Sequence, residues 1–244
     1  MIISKILISM FIIVYLILIL TPLFDVKEMF KEGQELAKRS AAARLGGLFI
    51  GLGCIAYLNN VNNNKILAAF LFSIGLISVI LLGADLFTGK IGYVNKKTIP
   101  SIIHILFENI FAIMILGLLY GEFKSNNPEI IIQIAENKLN LSILELFFKS
   151  IGCGVCIFLA VELYKRTKSI FVIVLGVMVF ILSGFEHCIA DVFYFASYFM
   201  VKEQNILNIL KTIGYILIII LGNSFGSILI NLLIKIKEVK VNEE

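Results

Sequence analysis

Charge is scarce in this sequence. Only 16% of its 244 residues are Asp, Glu, Lys or Arg, against 59% that are hydrophobic, and the mean hydropathy is +0.99. No soluble domain of this size needs so much apolar surface, so a water-soluble fold is excluded. Cysteine is sparse too. Cys54, Cys153, Cys156 and Cys188 all lie inside apolar segments. Cys153-x-x-Cys156 falls within a lipid-embedded helix, not in a soluble βαβ unit, so these thiols read as small core residues and no disulfide framework follows. There is no phosphate-binding loop, no soluble catalytic domain and no convincing metal-ligand cluster. No cofactor is expected, and the chain is not expected to be an enzyme.

What the chain does have is a series of apolar runs, several reaching the roughly 18 residues that signal a spanning helix. The class is an all-α polytopic membrane protein, with the lipid bilayer as its solvent. Residues 1–24 form a hydrophobic helix outside the core, broken mainly by Lys5. A cleaved signal peptide is the alternative, but no small-residue cleavage site follows a short apolar core. Asp25–Arg44 is charged and amphipathic and reads as an interfacial helix. A span over Ala41–Leu58 carries Gly47 and Gly51, a small-xxx-small pair that lets a neighbouring helix approach closely. Ile66–Leu82 is marginal in length and runs into Gly83-Ala84-Asp85-Leu86-Phe87-Thr88-Gly89. Thr98–Tyr120 spans, then a polar loop covers Glu122–Asn140, with Ile130–Ile134 at the surface. Leu141–Tyr164, Ser169–Met200 and Thr212–Ile234 complete the apolar segments. Residues 25–240 are the membrane domain and 241–244 a polar tail.

Charge placement sets the topology. The segments 25–44, 90–97, 165–168 and 235–244 hold five, three, three and three basic residues, fourteen of the chain's 21. Placing them in the cytoplasm satisfies the positive-inside rule and gives a multi-pass protein of the cell membrane with a cytoplasmic C-terminus. The net charge of +4 is then a topology signature, and nucleic acid is not needed to explain it.

Ser183-Gly184-Phe185-Glu186-His187-Cys188-Ile189-Ala190-Asp191 puts three ionisable side chains inside an apolar run. Ionisable groups at bilayer depth are costly unless they face a cavity or a partner, so the cluster is a functional candidate. The glycine followed by polar residues suggests a helix that breaks and restarts, tolerated only where the backbone lines a cavity or is buried in protein. Gly83-Ala84-Asp85-Leu86 parallels Gly184-Phe185-Glu186-His187, and Glu108-Asn109-Ile110-Phe111-Ala112 parallels Gly222-Asn223-Ser224-Phe225-Gly226. Each half reads as span, broken span, and span with Asn. Three spans per unit is odd, so the second copy must be inverted, with the substrate path at the repeat interface.

These motifs resemble the formate/nitrite transporter family, which conducts small monovalent anions. Gly184-Phe185-Glu186-His187-x-Ile189-Ala190 resembles its central histidine signature. Asp85-Leu86-Phe87-Thr88 resembles its loop in the broken second helix, and Gly222-Asn223-x-x-Gly226 its last-helix motif. The similarity covers about Asp25 to Lys240, with the motifs in order. It implies an aquaporin-like six-helix core of two inverted three-helix repeats, assembled as a homopentamer with one pore per protomer. By position it implies that His187 is the pore histidine and Thr88 the hydroxyl opposing it. Phe72, Leu76, Leu86, Phe87 and Phe180 match apolar constriction positions, and Lys149 the lysine that draws anions into the outer vestibule. Three positions depart from the family pattern. Asp191 stands in place of Asn, Cys188 in place of Ser, and Glu108 in place of a glycine before Asn109.

A bare anion cannot cross apolar constrictions without being attracted, neutralised or stripped of water. Imidazole suits this, because small environmental shifts change its charge in the physiological range. His187 is expected to protonate the passing anion or to offset its charge. The bland alternative is a buried histidine satisfied by a neighbour. Glu186 and Asp85 are expected to support the breaks by capping or by bonding freed backbone N–H groups, as are Asn109 and Asn223. Asp191, four residues after His187, could pair with it, face a neighbouring helix or line the outer vestibule. Thr88 could serve the pore or bond a backbone carbonyl. Lys149 could attract anions or pair with Glu145 at i,i−4. His104 reads as structural. The expected function is passage of formate, nitrite or hydrosulfide, with a proton as a possible partner; the alternative is an aquaporin-like pore for a neutral solute.

Overall fold

In lipid every backbone polar group must be satisfied within the protein, so an apolar chain of this kind is driven to helices. The computed structural model describes residues 31–124 and 128–241, and among them every regular element is helical. These are α1 (Lys31–Asn60), α2 (Lys65–Leu81), α3 (Phe87–Lys90) with a 3₁₀ turn (Ile91–Tyr93), α4 (Ile99–Phe123), α5 (Glu129–Leu139), α6 (Ile143–Thr167), α7 (Ile170–Leu182), α8 (Cys188–Val201) and α9 (Ile206–Val241). Four helical stretches are long and apolar enough to cross a bilayer: Glu35–Asn60, Ile99–Phe123, Ile143–Thr167 and Ile206–Glu238. The expected hydrophobic helix at residues 1–24 lies outside the described residues.

The interfacial helix expected over Asp25–Arg44 is not a separate element where it is described. From Lys31 onward it runs unbroken into α1, because Ala41-Ala42-Ala43 are strong helix formers and nothing there stops the helix. Starts and stops elsewhere have local causes. Asn64 caps α2, its Oδ1 accepting from Ile66 and Leu67 N–H at 3.0 Å each. Ser142 caps α6 through the Glu145 N–H at 3.2 Å, and Pro100 sits in the first turn of α4.

The two breaks are built alike. α2 ends with Gly83 at φ +67°, and α7 with Gly184 at φ +66°. Both are left-handed positions that a Cβ would penalise. Ala84 N donates to Val79 O (2.9 Å) and Phe185 N to Phe180 O (3.0 Å); Gly83 N bonds Ile80 O and Gly184 N bonds Ile181 O. These paired bonds are the Schellman pattern that satisfies the last carbonyls of a helix. After each break the chain restarts as a returning helix, α3 or α8.

The returning helices pack against the far half of the molecule. α8 lies on α4, with α1 beyond, while α3 and its 3₁₀ turn lie on α6 and α9. Close approach is possible because glycines stand where the backbones cross. A Cβ at Gly47 would sit 2.5 Å from the Asn109 carbonyl oxygen, so α4 is the neighbour that the Gly47/Gly51 face admits. The segment read as a polar loop holds α5. Its Ile131, Ala135 and Leu139 recur at i, i+4 and i+8 and are buried, packing the helix across the end of α8.

Candidate functional site

Each break exposes backbone groups deep in the molecule, and an asparagine on a continuous helix satisfies them. Asn109 accepts from Phe87 N at 2.9 Å and donates to the carbonyls of Ala43 (2.5 Å) and Asp85 (2.9 Å). Asn223 accepts from Cys188 N at 2.9 Å and donates to the carbonyls of Ser150 and Glu186, both at 2.8 Å. Both asparagines are fully buried. An amide is suited here because only it offers an acceptor and two donors from one planar group.

The restarting helices bring His187 and Thr88 together. His187 is the N-cap of α8, and its Nδ1 accepts from the Ala190 N–H at 3.1 Å. Because Nδ1 is an acceptor, the neutral ring carries its proton on Nε2. Nε2 lies 3.0 Å from Thr88 Oγ1, so the imidazole donates and the hydroxyl accepts. A second proton, at Nδ1, would face the Ala190 N–H and cost that cap. Thr88 is fully buried and His187 is 2% exposed.

Two cavities lie near this pair; His187 lines the smaller, and Thr88, between Leu86 and Gly89 of the larger, lines neither. The larger, about 570 Å³, is lined by Leu76, Leu86, Asp85, Lys90, Tyr93 and Lys165 among others. The smaller, about 260 Å³, is lined by Phe72, Phe180, His187, Lys138, Lys149 and Asp191 among others. Phe72 and Leu76 are one turn apart on α2 and line different cavities. The Phe72 and Phe180 rings meet edge to face at 5.7 Å, and the Phe180 ring is 5.9 Å from that of His187. Phe72, Leu76, Leu86 and Phe180 thus border the gap between the cavities. Phe87 is buried beside Thr88 and lines neither cavity.

The acids are placed by lysines. Asp85 pairs with Lys90. Glu186 was expected to cap α8 or bond freed N–H groups, but His187 supplies the cap and the Glu186 carboxylate pairs with Lys138 of α5. Asp191 does not reach His187; its Oδ1 lies 2.7 Å from the same Lys138 ammonium. Burial works against that ammonium's charge, but Asp191 and Glu186 outweigh it and hold its pKa above the ordinary lysine value. Lys149 pairs with Glu145 at 2.9 Å and also lines the smaller cavity. Glu108 meets Arg44 in a two-point pair, at 2.7 and 3.2 Å. His104 lies 3.0 Å from Ser40 Oγ and lines neither cavity. Cys188 is fully buried. Among the described residues no group of His, Cys, Asp or Glu is arranged to hold a metal ion.

Lys138 is the site residue that the sequence reading missed. Its signal was indirect: two acids within an apolar run require a counter-ion, and Lys138 sits in an otherwise unremarkable polar stretch.

With this geometry in place, comparison with known proteins is informative. A sequence model described as formate/nitrite transporter matches residues 25–236. The formate channel FocA of Escherichia coli K12 is 25% identical over 202 residues, covering 72% of this chain and 71% of its own. The formate channel BtFdhC of Bacillus thuringiensis is 28% identical over 193 residues, 68% of this chain and 74% of its own. Among solved structures, one described as an FNT family ion channel superposes with a TM-score of 0.71 at 23% identity, covering 81% of this chain and 88% of its own. Another, a pentameric formate channel with formate bound, gives a TM-score of 0.69 at 21% identity, covering 85% and 97%.

Proposed function

The chain belongs to the formate/nitrite transporter family, and on that premise we propose that it passes a small monovalent anion (formate, nitrite or hydrosulfide) through a pore in each protomer. The observation that carries this reading is the buried Nε2–Oγ1 contact between His187 and Thr88, reached by the smaller cavity at His187 and flanked by Leu86 and Gly89 of the larger. The path runs between them, past Phe72 and Phe180 at one end and Leu76 and Leu86 at the other. An anion in this gap has lost its water. A polarised N–H donor aimed into a water-poor site is worth far more there than in solution.

The resting geometry favours one branch of the histidine chemistry. With Nδ1 committed to the Ala190 N–H, the neutral ring has a single N–H to offer, now directed at Thr88. An arriving anion takes that hydrogen bond, and the Thr88 hydroxyl, released as an acceptor, turns its own O–H toward the anion. Two donors thereby offset the charge where no water remains. Full proton transfer requires the imidazolium, formed only when the cap to Ala190 opens, so proton coupling and the break in α8 are linked. Lys149, on the lining of the smaller cavity, supplies the attraction that brings anions to the gap, with Glu145 leaving it only partly neutralised.

Several finer features follow from the same reading. The matched breaks and the matched asparagines support two inverted repeats in an aquaporin-like arrangement, with the path at their interface. The description of a related structure as pentameric supports a homopentamer. The excess of basic residues in alternate segments supports a cytoplasmic C-terminus and makes the smaller cavity the outer vestibule.

The test is flux into proteoliposomes with each of the three anions, over pH about 5 to 8, the range in which an imidazole titrates. His187→Phe runs in parallel. One anion moving in the wild type, with flux or its pH dependence lost in the variant, supports the reading. Unchanged flux in the variant makes His187 structural and overturns it, and flux of neutral solutes alone, insensitive to pH, replaces it with an aquaporin-like pore.

A further inference from the structure

One buried charge at the outer vestibule has no counter-ion. Glu186 and Asp191 both pair with the same Lys138 ammonium and line the same cavity. Asp191 is 1% exposed, and its Oδ2 is the only buried side-chain oxygen or nitrogen among the described residues without a hydrogen-bond partner. Two carboxylates against one ammonium leave a net negative charge in a place where an uncompensated charge is prohibitive. Two acids sharing a buried site resolve this by keeping one proton between them.

We propose that Glu186, Asp191 and Lys138 form a proton-binding site, holding one proton on the acid pair at neutral pH. The proton converts Asp191 Oδ2 from an orphaned acceptor into an O–H donor to the Glu186 carboxylate. The cluster is then neutral and every member is bonded.

No other neighbour supplies the missing charge. Tyr194, on the same helix as Asp191, lines the same cavity, and the buried thiols Cys54 of α1, Cys153 of α6 and Cys188 of α8 belong to the same core. Tyr57 of α1 and Lys149 of α6 share its cavity. Thiols and phenols are neutral in their ordinary state, Lys149 pairs with Glu145 and not with Asp191, and Lys65 of α2, exposed at the rim of the same cavity, pairs with neither acid. Tyr120 of α4 stacks on Phe193, and Tyr215 of α9 donates to the Leu141 carbonyl, so both are committed elsewhere.

The held proton fixes the sign of the mouth. The charged residues lining the smaller cavity are Lys65, Lys138, Lys149, Glu186 and Asp191. With Glu145 counted against Lys149, they balance to zero when both acids are ionised and are net cationic when one is protonated. This role rests on the anion-passage reading, while the proton site itself does not.

Infrared difference spectroscopy of the full chain in lipid reads the proton directly, through the carbonyl stretch of a protonated carboxylic acid and its shift in D₂O. The wild type is expected to show that band at neutral pH. Asp191→Asn and Glu186→Gln should each abolish it, because either leaves one carboxylate matched to one ammonium. A band absent from the wild type, or surviving in either variant, overturns the proposal. Flux measured on the same samples separates the two readings. A band that behaves as expected with no anion flux removes the transport role and leaves the proton site.

Discussion

Asn109 and Asn223 hold the two breaks by the same three bonds. Each amide accepts from the first N–H of a restarting helix and donates to the carbonyl two residues before it and to one on a neighbouring helix. Six hydrogen bonds are concentrated on two fully buried side chains, so the geometry between the cavities depends on them more than on any apolar contact.

Replacing either by alanine strands the first N–H of the restarting helix and the carbonyl of the break, and takes a second acceptor bond from a neighbouring helix. At about 1–3 kcal/mol for each buried group left unpaired, Asn223→Ala should destabilise the protein by several kcal/mol. Asn223→Asp should be at least as damaging, since it keeps the acceptor but turns both donors into a charge facing two carbonyls. Thermal aggregation followed by size exclusion in detergent checks this. A midpoint within a degree or two of wild type in either variant would contradict the assignment.

The glycines at the breaks separate conformation from space. Gly184 has a left-handed φ and nothing within 4 Å of where a Cβ would sit. Gly184→Ala should therefore cost only the backbone term, about 1 kcal/mol. Gly46 has no such φ, but its Cβ would collide with the Asp85 carbonyl, and that carbonyl is fixed by Asn109. Gly46→Ala should prevent assembly of folded protein. Expression and melting of the two variants side by side test the contrast, and equal tolerance would show that the first break can shift.

His187 has two duties, and a well-chosen variant divides them. His187→Asn keeps an acceptor for the Ala190 N–H, and asparagine is a good N-cap. It loses the ring N–H aimed at Thr88. The variant should melt near the wild type, within about 1 kcal/mol, while flux falls by at least tenfold. Flux that tracks stability across His187→Asn and His187→Phe would instead mean that the residue serves only the helix start.

Much of this arrangement was legible in the sequence. Long apolar runs marked the spans, and glycine with an acid inside such a run marked each break. An asparagine stood on the long apolar run that follows each break. What was not legible depends on contacts far apart along the chain. Nothing local pairs Lys138 with Asp191, 53 positions on. The i, i+4, i+8 stripe of α5 is short enough to be hidden by the charges around it. Nor does local pattern tell a continuous α1 from an interfacial helix joined to a span, since both read as amphipathic and then apolar.

Thr88 gives a test of the gap itself. Thr88→Val preserves shape but removes the acceptor of the Nε2–H bond and the O–H that would follow the anion; Thr88→Ser retains both. One neutral hydrogen bond is worth about 0.5–1.5 kcal/mol net, and somewhat more when its partner is charged. Valine should therefore slow flux by about tenfold, and serine should stay within a few-fold of wild type. Lys149→Ala should differ in kind, because it acts on approach and not in the gap. Its deficit should be largest at low substrate and low ionic strength, and should fade toward 1 M salt, where the screening length falls to about 3 Å. If the Thr88→Val deficit faded with salt in the same way, the hydroxyl would belong to the approach, and the pairing of Thr88 with His187 would not be where the anion is discharged.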